Sequence, residues 1–143
     1  MHGLIREEYN FPASTKVLTR HIYSRMYCGK IVIIAENPSA LLPPLRKQWL
    51  KLARKVQVER AKTLDGGRIK ELTLIVATMQ TMRFKAGWGD DPTGADVYVA
   101  SIDQLMQWPP DCSTLYVTSI ISKEQLHMVT SWMTRGSLVV IYR

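Results

Sequence analysis

Hydrophobic and polar residues follow two patterns along this chain, one typical of buried strands and one typical of helices. Four short stretches are almost continuously apolar and rich in β-branched or aromatic residues: KIVIIAE, DVYVAS, TLYVTS and SLVVIYR. Runs of this kind are typical of strands buried on both faces of a parallel sheet. We therefore predict strands near residues 30–36, 96–101, 114–119 and 137–143.

The segments between these strands repeat apolar residues at every third or fourth position, which predicts helices. Ser122 and Gln125 have the spacing of a capping box at the start of the last one. The β-branched cluster at 73–78 is also compatible with a strand, so a strand remains an alternative for part of the third predicted helix. In chain order, the predicted helices cover residues 14–28, 42–64, 69–84, 102–108 and 122–135.

This alternation predicts an α/β fold of three layers, in which helices cover both faces of a mostly parallel sheet of four to five strands. The expected architecture is Rossmann-like or RecA-like without a phosphate loop. The helices at 42–64 and 69–84 add a long basic helical hairpin. Residues 1–13 show neither pattern and are predicted to be a flexible N-terminal arm. Residues 14–143 are predicted to form a single α/β domain.

Positive charge is concentrated in the first half of the sequence. The whole chain has a net charge of +7. Residues 1–70 contain 14 Lys or Arg and 5 Asp or Glu. Residues 71–143 contain 5 Lys or Arg and 7 Asp or Glu. The first half therefore carries +9 and the second −2. This asymmetry predicts that the first half meets a polyanion or an acidic protein surface.

The helix predicted at 42–64 separates its cations from its apolar residues. The apolar stripe consists of Leu45, Trp49, Leu52, Ala53 and Val56. A dense group of cations, which we call the basic face, falls on the other side and has few acidic neighbours: Lys47, Lys51, Arg54, Lys55 and Lys62. Such a face can contact successive phosphates of a nucleic-acid backbone. Arg20, Arg25 and Arg68 extend it if the fold brings them alongside.

Several apolar residues are candidates for a contact with a partner. Trp88 lies in a glycine-rich polar loop, where it either stacks on a base or a partner, or folds back as a lid on the sheet. The last helix carries Met128, Trp132 and Met133. For these residues we weigh core packing against an adaptable protein interface.

A strand followed by a proline-containing turn, KIVIIAENPSA, resembles the opening of the Toprim domain of topoisomerases and primases. The resemblance implies a general acid or base at Glu36. That family also places a DxD pair at a later strand end to hold magnesium, and VYVASIDQ offers only Asp103 there. A single carboxylate is a poor Mg²⁺ ligand set. Glu36 and Asp103 are thus the catalytic candidates, set against a structural role at the strand end.

The alternation of short strands and helices without a phosphate loop also looks like degenerate RecA-like domains, such as the bacterial SulA-type division inhibitors. This likeness is architectural, since no residue motif carries it. It implies a protein that acts by binding other proteins and not by hydrolysing nucleotide.

Other chemistries lack their motifs. The sequence contains no GxxxxGK[ST], GxGxxG, HExxH, CxxC or GxSxG pattern, and its histidines are isolated. We therefore predict no cofactor and no metal site. No apolar run approaches the roughly 20 residues of a membrane helix, so we expect no membrane partner. Two distant cysteines and the absence of a secretory signal favour a cytoplasmic location.

Three functions follow as hypotheses. The first is a non-enzymatic accessory protein that docks on DNA or RNA through the basic face, with other subunits of a larger complex as partners. The second is an adaptor or inhibitor whose basic face meets an acidic protein, on a degenerate RecA-like fold. The third is a magnesium-dependent Toprim-like enzyme.

Overall fold

Six parallel strands form one sheet in a computed structural model that describes residues 3–63 and 65–143. The strands are β1 (Ile5–Tyr9), β2 (Ile31–Ile34), β3 (Phe84–Ala86), β4 (Val97–Ala100), β5 (Thr114–Val117) and β6 (Leu138–Tyr142). The helices are α1 (Thr15–Arg25), α2 (Pro38–Lys62), α3 (Gly66–Thr81), α4 (Ile102–Gln107) and α5 (Lys123–Ser131). The order of strands across the sheet is β1-β6-β5-β2-β4-β3.

The sheet is the middle layer of three. Ile31 and Ile33 of β2 pack with Leu18 of α1 and Leu45 of α2 in one buried cluster, on what we call the hairpin side. Val32 and Ile34 pack with Leu105 of α4 and Val129 of α5 in a second cluster, on the opposite side. Successive residues of a strand point to opposite faces, so a strand covered on both must be apolar throughout. The predicted three-layer α/β architecture is confirmed.

The number of strands was underestimated, because two strands at the edges of the sheet were missed. Residues 5–9 were predicted to lie in a flexible arm, yet they form β1, paired in parallel with β6. Residues 1 and 2 of the predicted arm lie outside the described residues. Phe84–Ala86 forms β3 against β4, where the sequence predicted the end of a helix and a loop. Both edge strands are partly exposed to solvent, so neither shows a continuous apolar run.

Both helices of the hairpin begin earlier than predicted. The helix α2 starts at Pro38, because the Asn37 side chain accepts a hydrogen bond from the Ala40 N–H at 3.3 Å and caps it. Pro43 and Pro44 therefore lie inside this helix and not in its first turn. The helix α3 starts at Gly66, capped by Asp65. The predicted strand alternative within 73–78 is wrong, since those residues are helical. Leu64 lies outside the described residues.

Candidate nucleic-acid interface

The helix α2 presents the basic face on the side opposite its buried stripe. All five cations are exposed. At 100° per residue they fall within a sector of about 100°. The buried residues Leu45, Trp49 and Ala53 fall on the other side of the same helix. Lys47 and Lys62 are separated by about 22 Å at 1.5 Å per residue. The face is therefore a straight row of charge several phosphates long.

Packing beneath α2 fixes the direction in which this face points. Trp49 is 2% exposed, and its indole Nε1 donates a hydrogen bond to the Met79 carbonyl of α3 at 3.0 Å. The ring centroids of Trp49 and Phe84 are 5.6 Å apart. In the first half of the helix, Arg46 Nη2 donates to the Phe84 carbonyl at 2.9 Å. These contacts join α2 to α3 and to β3, so α2 cannot rotate about its axis without breaking them.

The charges of the basic face are not neutralised within the described part of the chain. Three ion pairs occur there, Arg6–Glu8, Lys85–Asp91 and Arg143–Glu8, and none involves α2 or α3. Across residues 38–81 the sequence has nine Lys or Arg and three Asp or Glu. The hairpin thus holds +6 of the chain's net +7. Five neighbouring cations without carboxylate partners form a strong positive potential along one line.

Of the three arginines predicted to extend the basic face, one makes its hydrogen bonds to another part of the fold. Arg25 is half-buried at the end of α1, where its Nε donates to Thr114 Oγ1 at 3.0 Å and its Nη2 to the Ser113 carbonyl at 3.3 Å. Its guanidinium therefore ties α1 to β5. Arg20 of α1 and Arg68 of α3 are exposed. Sequence reasoning missed Arg46, although it directly precedes Lys47, because its contact with β3 depends on the fold.

The predicted interface residues of the second half divide between core and surface. Trp88 packs on Tyr98 with ring centroids 4.8 Å apart and donates from Nε1 to the Trp108 carbonyl at 2.8 Å. Of the two predicted alternatives, Trp88 therefore adopts the one in which it folds back as a lid on the sheet. Met133 is buried among the residues of the opposite side. Met128 of α5 is 44% exposed, and Trp132, which directly follows this helix, is 40% exposed. Of these four predicted interface residues, Met128 and Trp132 are the two with exposed apolar surface for a partner.

The catalytic candidates meet at the carboxyl edge of the sheet. Glu36 follows β2 and Asp103 lies in the first turn of α4, and both line an open cleft of about 340 Å³ with Ser101 and Ser119. Parallel sheets commonly bind ligands at this edge. Within residues 3–63 and 65–143, however, no group of three or more His, Cys, Asp or Glu residues is placed to hold a metal. The missing second aspartate of the Toprim pattern has no substitute among these residues.

A cluster of aromatic side chains, which sequence reasoning did not find, fills the hairpin side between α1 and β6. The His21 Nδ1 and the Tyr142 hydroxyl form a short hydrogen bond of 2.5 Å. Burial lowers the pKa of His21 and raises the pKa of Tyr142. Tyr9 stacks on Tyr142 at 5.7 Å, and Tyr116 lies 6.3 Å away. These residues come from four separate elements, so no local pattern in the sequence joins them.

Two tyrosines of this cluster should respond in opposite ways to loss of the hydroxyl. The Tyr116 hydroxyl is buried and has no hydrogen-bond partner among the described residues. Tyr116→Phe is expected to raise the free energy of unfolding by about 1 kcal/mol, since a buried unpaired polar group is costly. Tyr142→Phe removes the bond to His21 and is expected to lower it by about 1 kcal/mol. Urea unfolding measures both. A loss of stability in Tyr116→Phe would contradict this account.

No protein-family model and no curated protein matches this sequence. Over the described residues, no helix has both the length and the apolar character needed to cross a bilayer.

Proposed function

We propose that this chain is a non-enzymatic nucleic-acid-associated protein that docks on the DNA or RNA backbone through the basic face of α2, as an accessory part of a larger complex. The observation that supports this proposal is the row of five exposed cations without carboxylate partners. Each cation that neutralises a phosphate releases bound counterions into solution, which favours binding.

Recognition in this proposal depends on the phosphate backbone and not on base sequence. Arginine and lysine contacts to phosphate position a protein on nucleic acid without reading bases. Single strands are usually bound by aromatic side chains that stack on bases beside a basic groove. The basic face contains no aromatic residue, and Trp49 of the same helix is buried beneath it. Binding should therefore tolerate changes of base sequence.

The salt dependence of affinity tests the proposal. Fluorescence anisotropy would follow the binding of labelled DNA and RNA, single- and double-stranded, across a salt series. Five phosphate contacts predict a slope of about −4.5 in log affinity against log salt for duplex DNA. We expect submicromolar binding near physiological salt. Binding that disappears by that salt concentration would mean that the charge is generic, and the proposal would fall.

An acidic protein surface is the second candidate partner, and one observation favours it. Leu50 and Val58 are 46% and 53% exposed, and both lie on α2 within or beside the basic face. Phosphates make no use of apolar side chains, whereas protein interfaces do. Leu50→Gln with Val58→Gln separates the two candidates, because it should weaken binding to an acidic protein and leave binding to phosphates unchanged. Unchanged nucleic-acid affinity in this variant is expected if phosphates are the target, and weak nucleic-acid binding by the wild type would favour the acidic protein.

A further inference from the structure

The strand β1 lies at one edge of the sheet, and the main-chain groups of two of its five residues point away from β6. The Ile5 N–H donates to the Ser137 carbonyl at 2.9 Å, and the Tyr9 carbonyl accepts from the Arg143 N–H at 3.1 Å. Residues 5, 7 and 9 therefore direct their main chain toward β6. Since successive residues of a strand alternate in direction, the N–H and C=O groups of Arg6 and Glu8 face outward. Such an edge is a template for another strand.

The side chains of β1 are self-complementary in one antiparallel register. When the strand pairs with a second copy of itself across a two-fold axis at Glu7, Arg6 lies opposite Glu8 of the other copy. Glu8 then lies opposite Arg6 of that copy. Arg6 and Glu8 are also the residues whose main chain points outward, so each such pair exchanges two hydrogen bonds. Shifting the register by two residues either way places Arg6 opposite Arg6 or Glu8 opposite Glu8. Like charges directly opposite each other disfavour those registers.

We infer that this chain forms a two-fold homodimer in which two β1 strands pair antiparallel, with Arg6 opposite Glu8, and join the two sheets into one. Ile5, which is 55% exposed, then lies opposite the partly buried Tyr9 of the other copy. Pairs of a β-branched and an aromatic residue stabilise antiparallel strands. A two-fold interface of this kind is closed, so pairing ends at two copies.

Two local interactions work against the pair and limit its strength. Within one copy, Glu8 Oε1 already accepts hydrogen bonds from Arg6 at 2.9 Å and from Arg143 at 2.7 Å. On dimerisation Arg6 therefore exchanges the Glu8 of its own chain for the Glu8 of the other copy, and the ion pair adds little net stability. Glu7 lies opposite Glu7 of the other copy, and this like-charge contact is unfavourable. A weak dimer that Glu7→Gln strengthens is therefore expected.

Charge exchange across the strand pair tests the inference, and sedimentation equilibrium over a concentration series without nucleic acid measures it. Arg6→Glu alone and Glu8→Arg alone should each weaken dimerisation by about tenfold or more, because each creates two like-charge pairs. An equal mixture of the two variants should dimerise again, since both cross-strand pairs are then of opposite charge. Circular dichroism establishes that each variant is folded.

Three results would overturn the inference. They are a wild-type chain that stays monomeric at the highest concentration, single variants that dimerise as well as the wild type, and a mixture that fails to recover dimerisation. The matched control is Lys70→Glu, which changes the net charge of the chain as much as Arg6→Glu does, at an exposed position of α3 that lines no cavity with Arg6. Its dimerisation should equal that of the wild type.

Discussion

Reversing two charges of the basic face, with Lys51→Glu and Arg54→Glu, is expected to lower nucleic-acid affinity by about a hundredfold near physiological salt. Both cations lie in the middle of the row and are exposed, and no ion pair joins either to another described residue. The variant loses two phosphate contacts and adds two repulsive charges between the remaining ones. The magnitude of the salt slope should also fall by about 2, because a complex with two fewer phosphate contacts releases fewer counterions when it forms.

A variant with the same change in net charge separates a specific face from general attraction. Lys123→Glu with Arg135→Glu alters two exposed cations, one in α5 and one in the turn before β6. Its affinity should stay within about threefold of the wild type, because the row on α2 is intact. Equal losses in the two variants, measured by anisotropy at one salt concentration, would show that only the overall charge matters.

Trp49→Ala is expected to lower the free energy of unfolding by about 3–5 kcal/mol, the range observed for large aromatic residues in cores. The substitution leaves a cavity between α2, α3 and β3 and leaves the Met79 carbonyl without its donor. Total stabilities of domains are only about 5–15 kcal/mol, so this variant should be close to unfolding at room temperature. Guanidinium unfolding followed by circular dichroism gives the value.

Two further tryptophan variants show whether burial or the hydrogen bond dominates. Trp49→Phe keeps most of the ring and removes the donor, so we expect a loss of about 1–3 kcal/mol. Trp132→Ala removes a side chain that is 40% exposed, and its cost should be below about 1 kcal/mol. A cost of Trp49→Ala no larger than that of Trp132→Ala would show that α2 is not held through Trp49.

The centre of the fold was readable from the sequence, and its periphery was not. The four predicted strands are β2, β4, β5 and β6, which occupy adjacent central positions of the sheet and are buried along nearly all of their length. Complete burial requires apolar residues at every position, and this requirement leaves a strong local signal. The sequence IREEY of β1 has no such signal, because its strand state comes from pairing with β6 and not from its own composition.

The same distinction applies to the candidate site. Helical periodicity placed the basic face correctly on the exposed side of α2, since the direction of each side chain follows from its position along a helix. The position of Arg25 depends on contacts with Thr114 and Ser113, which are far away in sequence. The meeting of Glu36 and Asp103 in one cleft follows from the adjacency of β2 and β4, which the sequence does not specify. Nucleic-acid binding itself stays a prediction.

The pairing of β1 with β6 has a consequence for the order in which the chain folds during its synthesis. Ile5 pairs with Leu138, so nearly the whole chain is made between the two strands. At about 5–20 residues per second, β1 is synthesised roughly 7–27 s before its partner strand. The central strands β2, β4 and β5 can associate during this interval, whereas β1 must wait. Its three charged residues keep the waiting strand hydrated and disfavour association with other nascent chains.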